Sequence, residues 1–171
     1  MNSLAKQALA LAKSIQQDSP SRYVPPSEGT PSKSEMVLPH ALVRGTRGYV
    51  ERITNQVNGC YEHGWFDGCA VMMRRLIETL IIEAFEHHGI AHKIKNPAGD
   101  FLHLADLVAA TLSESTWNLG RNAKKALPKL KEMGDQSAHS RRFVAHREDI
   151  DKGQGDFRTV IQELVYLAGL K

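Results

Sequence analysis

The sequence predicts an all-α protein: an antiparallel up-down bundle of four to five helices, preceded by a short N-terminal helix and a Pro/Ser-rich linker. Three observations carry this. From Tyr49 onward, apolar residues recur at spacings of three and four, the repeat of one helical face. No segment alternates with period two between turn residues, as a half-buried strand would. The breaks between periodic segments are short, which makes successive helices antiparallel neighbours.

Taken in order, residues 3–17 read as a helix, with Leu4, Ala8, Leu11 and Ile15 on one face. A helix of about four turns is marginal in water, so it must dock or fray. Residues 18–48 have linker composition, with Pro20, Pro25, Pro26 and Pro31 among serines and Gly29. Val37, Leu38 and Val43 are placed to pin the end of this stretch onto the body, and a domain boundary is expected near residue 45. The body, 49–171, opens with a helix over 49–62 carrying Val50, Ile53, Val57 and Tyr61, stopped by His63-Gly64. Residues 65–88 hold the longest apolar stripe, Met73, Leu76, Ile77, Leu80, Ile81, Ala84 and Phe85, ended by Gly89. After a loop over 90–99, a third helix is expected over 101–113 with Asp100 as its N-cap. Ser115 or Thr116 caps a fourth segment through Leu119, Leu127, Leu130 and Met133, interrupted by Pro128. The last helix is expected over 156–169, starting at Asp156.

Composition excludes several classes. The 171-residue chain is 42% hydrophobic and 24% charged, enough apolar material for one core. No apolar run approaches the roughly 18–20 residues of a membrane helix. Lys6 and Lys13 interrupt the N-terminal pattern, and no small-residue cleavage site follows it, unlike a signal peptide. Cys60 and Cys69 make no disulfide framework, and no CxxC pair marks structural zinc. The expectation is a soluble, cytoplasmic protein with no membrane partner and no cofactor. The net charge of +3 sits wholly in residues 1–48, which hold six Lys/Arg and three Asp/Glu; residues 49–171 hold sixteen of each. Within that neutral body, 121–147 has eight basic residues against Glu132 and Asp135. One basic stripe on a neutral domain is either a solvated helix face or a surface for a polyanion.

The usual anchors of catalysis are missing. There is no G-x-x-x-x-G-K-[ST], no G-x-G-x-x-G and no G-x-S-x-G. His88 and His92 have helical metal-pair spacing, but Gly89 stands between them and no third ligand matches, so no metal site is assigned. Two patterns remain. Arg74 and Glu78 are four apart at the margin of the second stripe, where they can pair with each other as a structural lock or face a ligand. If residues 131–146 are helical, Lys131, Asp135, His139, Arg142 and His146 fall on one line. Arg forks onto anionic oxygens and His titrates near neutral pH, so that line could hold a phosphate and move a proton. It reads equally well as a solvated face on which Asp135 pairs with Lys131 and His139.

An apolar helix carrying M-R-R-L-I-E (73–78), two linking helices, L-K-E-M-G-D-Q-S-A-H (130–139) and a final amphipathic helix resemble the HEPN superfamily. The closer similarity is to uncharacterised bacterial HEPN-like families with R-x-x-x-E and L-R-x-x-G-N-x-x-A-H motifs, over roughly residues 50–170. Arg74 and Glu78 match the first motif, Gly134 and His139 the second; Lys131 stands where the pattern has Arg, and Asp135 where it has Asn. The resemblance implies a helical bundle, commonly a homodimer with its groove at the dimer interface, acting in bacterial stress or defence. Active members are metal-independent endoribonucleases that use an Arg, four to six residues and then a His. This chain meets that spacing at Arg141 and His146, which would steady phosphate charge and carry the proton of the 2′-hydroxyl. The expectation is an RNA- or nucleotide-binding domain, with Arg141, His146 and His139 as catalytic candidates. Lys131, Asp135, Arg142, Arg74 and Glu78 are its phosphate-binding candidates. The rival is a non-enzymatic module for dimerisation or for binding another protein.

Overall fold

The computed structural model describes residues 35–171 and, before them, Gln7 alone. The expected helix over 3–17 and the stretch 18–34 therefore lie outside the described residues, Gln7 apart. The rest is helical: α1 (Gly48–Glu62), α2 (Phe66–His87), α3 (Leu104–Ser113), α4 (Arg121–His139) and α5 (Arg147–Leu167). A short 3-10 turn at His40–Leu42 precedes α1 and another at Ala91–Ile94 lies between α2 and α3, and among the described residues no strand forms beyond a single backbone bridge between Lys95 and Phe101. The all-α bundle read from the sequence is the architecture found.

The apolar stripe of α2 explains why it lies at the centre. Met73, Leu76, Ile77, Leu80, Ile81 and Phe85 are fully buried, and α2 packs on each of the other four helices. Side-chain pairs fix the directions. Tyr49 of α1 meets Glu83 of α2, while Cys60 lies beside Gly68, so α1 and α2 are antiparallel. Arg74 of α2 meets Asp135 of α4, and Gly120 and Gly153 place α4 antiparallel to α5. Burial of this stripe and its partners supplies the core at roughly 25 cal/mol per Å² of apolar area.

Residues 37–43 fold onto this body. Val37, Leu38 and Val43 are buried, as the apolar pattern at the end of the proline-rich stretch anticipates. A fully buried amide holds them: Asn58 Oδ1 accepts from the Val37 and Leu38 N–H groups at 3.2 and 3.0 Å, and Nδ2 donates to the Leu38 carbonyl at 2.9 Å. Arg158 of α5 donates to the Val37 carbonyl at 2.9 Å from the other side. The N–H and carbonyl groups of Val37 and Leu38 thereby gain partners outside any helix.

Four boundaries depart from the sequence reading. Asp100 does not cap α3; it closes a turn with Asn96, and the helix begins three residues after it is expected, at Leu104. Ser115 and Thr116 do not cap α4, because the Glu114 carboxylate takes their N–H groups at 2.9 and 3.0 Å and the helix waits until Arg121. Pro128 does not interrupt α4: it is exposed, and the helix runs through it. The last helix starts nine residues before Asp156, at Arg147, where Asp149 Oδ2 accepts the His146 N–H at 2.9 Å. Among the described residues, no helix is long and apolar enough to cross a membrane.

Candidate functional site

The two patterns singled out in the sequence meet in space. Arg74 and Glu78 project from the α2 margin, and α4 lays Lys131, Gly134 and Asp135 against them. Arg74 Nε donates to Asp135 Oδ1 at 2.7 Å, Lys131 Nζ to Asp135 Oδ2 at 2.6 Å, and Arg74 Nη1 lies 3.6 Å from Glu78 Oε2. Two cations and two carboxylates thus close a neutral, half-buried network, each side chain between 25% and 33% exposed. Gly134 permits it. A Cβ there would stand 2.6 Å from the Arg74 Cβ, so only a bare backbone lets α4 approach α2 this closely.

The charges set the protonation of Asp135. Partial burial works to raise its pKa, but the hydrogen bonds and charges of Lys131 and Arg74 outweigh it and hold the carboxyl below its ordinary value. It is a carboxylate at neutral pH and a poor proton donor. The thiols differ: burial pushes both Cys60 and Cys69 up, Cys69 to about 12, so neither offers a thiolate.

Beyond Asp135 the expected line of five residues breaks. Lys131, Asp135 and His139 do share α4, but His139 is its last residue. Ser140 turns the chain out with an extended backbone, and its Oγ accepts from the Arg142 and Phe143 N–H groups at 3.3 and 3.1 Å. Arg142 and His146 therefore do not continue the α4 face; with Arg141 they belong to the connection 140–146. The Ala145 N–H donates to Asp67 Oδ1 at 2.9 Å, tying the end of that connection to the first turn of α2. Asp67 and Arg74 are seven residues apart, or about 10 Å along a helix. The segment from Asp135 to Ala145 thus spans two fixed points on α2 and runs antiparallel to it. His139, Arg141, Arg142 and His146 are all exposed on it. Among the described residues, no salt bridge engages either Arg141 or Arg142.

Sequence reasoning missed what lies next to this segment. Arg147, the first residue of α5, sets its guanidinium 4.9 Å from the Tyr61 ring centre and 5.4 Å from that of Phe66, and donates to Tyr61 Oη at 3.0 Å. Tyr61 in turn donates to Asp151 Oδ1 at 2.5 Å, and burial together with that bond raises its pKa. Trp65, in the turn between α1 and α2, is 45% exposed and stacked on His63. The signal was an aromatic run, Tyr61 to Phe66, facing a basic one; nothing in either spacing says that they meet.

Other features stand apart. A cavity of about 870 Å³ bounded by Leu42, Trp117, Gln162 and Tyr166 contains none of the candidate residues. Among the described residues, no group of three or more His, Cys, Asp or Glu is placed to hold a metal ion. No family model, no curated protein and no solved structure matches this chain.

Proposed function

We propose that the chain is a HEPN-like domain that binds single-stranded RNA, or a nucleotide, through phosphate contacts along the 139–147 segment. The observation that carries the reading is the two-point tether of that segment. The Arg74–Asp135 pair holds one end and the Asp67–Ala145 bond the other, leaving Arg141 and Arg142 in solvent and, among the described residues, in no salt bridge. Unspent guanidinium groups on an anchored segment are what a phosphate backbone requires. The two sequence motifs of the resemblance close on each other in the same network, which supports the family reading as well.

The catalytic form of this proposal is metal-independent RNA cleavage. One histidine of the pair His139 and His146 would take the 2′-hydroxyl proton as the 2′-oxygen bonds to phosphorus. The P–O5′ bond then breaks, and the other, as imidazolium, gives its proton to the departing oxygen. Arg141 would balance the charge on the phosphate. The proposal includes a homodimer, which sedimentation at micromolar concentration tests; a monomer removes it.

A second reading has its own observation. Arg74 and Lys131 are both spent on Glu78 and Asp135. That is how a structural lock would look, and it favours an interaction module in which nothing is cleaved or bound at phosphate. RNA affinity separates the two. Arg141→Glu with Arg142→Glu should weaken binding of a single-stranded RNA far more than Arg44→Glu with Arg52→Glu, two exposed arginines elsewhere. The slope of log affinity against log salt should flatten by about 0.7 for each phosphate contact removed. Equal losses in the two pairs would leave only the module. If cleavage is found, it should survive EDTA and vanish in His139→Ala or His146→Ala.

A further inference from the structure

We infer that Trp65, backed by His63, is a base-stacking platform for single-stranded RNA that enters along the 139–147 segment; the inference rests on the RNA reading above. A large indole left 45% exposed forgoes burial that most tryptophans obtain, so its position calls for a reason. Here the ring is not loose. Its backbone is fixed, the Trp65 main-chain N–H donating to the Cys60 carbonyl at 2.8 Å and the Trp65 carbonyl accepting from the Cys69 N–H at 2.8 Å as α2 begins. Gly64, with φ of +76°, makes the turn that presents it. Its indole lies against the His63 imidazole, centroids 5.0 Å apart and planes 28° from parallel. That imidazole is itself fixed, its Nδ1–H donating to the Gly59 carbonyl at 2.8 Å. One face of the stack is thus braced from behind while the ring stays in water.

The surroundings name the ligand. Asp67, two residues after Trp65, binds Ala145, so the arginine-bearing connection ends within the first turn of the helix that Trp65 precedes. Arg147 lies over Phe66, the residue next to Trp65. Val144, 60% exposed, adds apolar surface on the same connection. A braced aromatic face two residues from the tether of a connection whose arginines, among the described residues, form no salt bridge matches the two halves of a single-stranded nucleotide, base and phosphate. A duplex keeps its bases stacked on one another and offers no free face, and an acidic peptide has no use for the ring.

The test uses the full chain with Trp117→Phe, which leaves Trp65 as the one indole of the two in the sequence. Titration with a single-stranded oligouridylate should quench its fluorescence, while an abasic strand of equal length should bind without quenching. Trp65→Ala should weaken oligouridylate binding by about 5- to 150-fold, the range of one base–aromatic stack, and leave abasic-strand binding unchanged. Trp65→Phe should recover part of the loss. The quenching measurement needs no change at Trp65, so it stands even if the alanine variant folds poorly. If oligouridylate binds without quenching and equally well to Trp65→Ala, while Arg141→Glu with Arg142→Glu binds weakly, the platform is wrong and the RNA reading survives. If no strand binds the wild-type chain, both fall together.

Discussion

Two glycines inside helices offer a direct test of how α2 and α4 meet. Neither Gly134 nor Gly155 has a positive φ, so nothing in the backbone demands glycine at either place. On propensity alone, alanine should stabilise each helix by about 0.5–1 kcal/mol. At Gly155 an added Cβ meets nothing within 4 Å, and that gain should be realised. At Gly134 the Cβ would land 2.6 Å from the Arg74 Cβ and 3.1 Å from its Cγ and Cδ. A Cβ cannot rotate away, so α4 must retreat by roughly 1 Å to restore a carbon–carbon contact near 3.5–4 Å. Such overpacking costs about 1–3 kcal/mol, which offsets the propensity gain. Gly134→Ala should therefore be less stable than Gly155→Ala by about 1–3 kcal/mol. For a chain of this size that is a gap of roughly 2–12 °C in Tm, measurable by calorimetry or urea titration. Retreat of α4 should also stretch the 2.7 Å Arg74–Asp135 bond and shift RNA affinity, whereas Gly155→Ala should leave affinity alone. Equal stabilisation by the two alanines would refute the close approach at Gly134, and with it the reason for placing glycine in this motif.

Two further outcomes are expected. Leu80, fully buried at the middle of the α2 stripe, should cost about 2–5 kcal/mol when changed to alanine, read from urea unfolding; a loss below about 1 kcal/mol would mean the core collapses into the gap. Asp135 has a folded-state pKa below its unfolded value, so its ion pairs stabilise the fold above the unfolded pKa near 3.9 and cease to as pH falls through the folded one. Asp135→Asn should thus be less stable than wild type at pH 7, by no more than about 1 kcal/mol at this exposure. The difference should close in acid, and one that persists unchanged at pH 2 would rule out the charge as its source.

The helices were legible where apolar periodicity was dense. The α2 stripe could be read from Met73 to Phe85 without ambiguity, and all its members are buried. Where charges and glycines dilute the pattern, the reading failed. The first turns of α5, Arg147 to Gly155, carry five charged side chains and two glycines around the single buried Ile150, so the helix showed itself only from Asp156. Capping misled for a different reason. Asp100, Ser115 and Thr116 are sound N-cap types, yet Asn96 and Glu114 reach their backbone groups first. The Asn58 clamp on residues 37 and 38 was invisible, because a buried amide in a helix announces nothing about a chain segment twenty residues away.

The site was legible in its parts and not in its assembly. Helical spacing alone gives the Lys131–Asp135 and Arg74–Glu78 pairs, since each is a four-residue contact. The Arg74–Asp135 bond joins positions 61 apart, and it depends on the missing Cβ of Gly134 rather than on any repeat. The extrapolated line through Arg142 and His146 assumed that α4 continues. It stops because Ser140 takes up the next N–H groups and because Ala145 reaches Asp67 in the first turn of α2. That stop redistributes the charge. On a continued helix, Arg142 would add to a face whose other cations are already neutralised by carboxylates. On the turned-out segment it stands exposed with Arg141, in the connection that Ala145 ties to Asp67, two residues after Trp65. The helix line pointed to the neutral lock; the break after His139 is what separates that lock from the basic surface proposed to meet RNA.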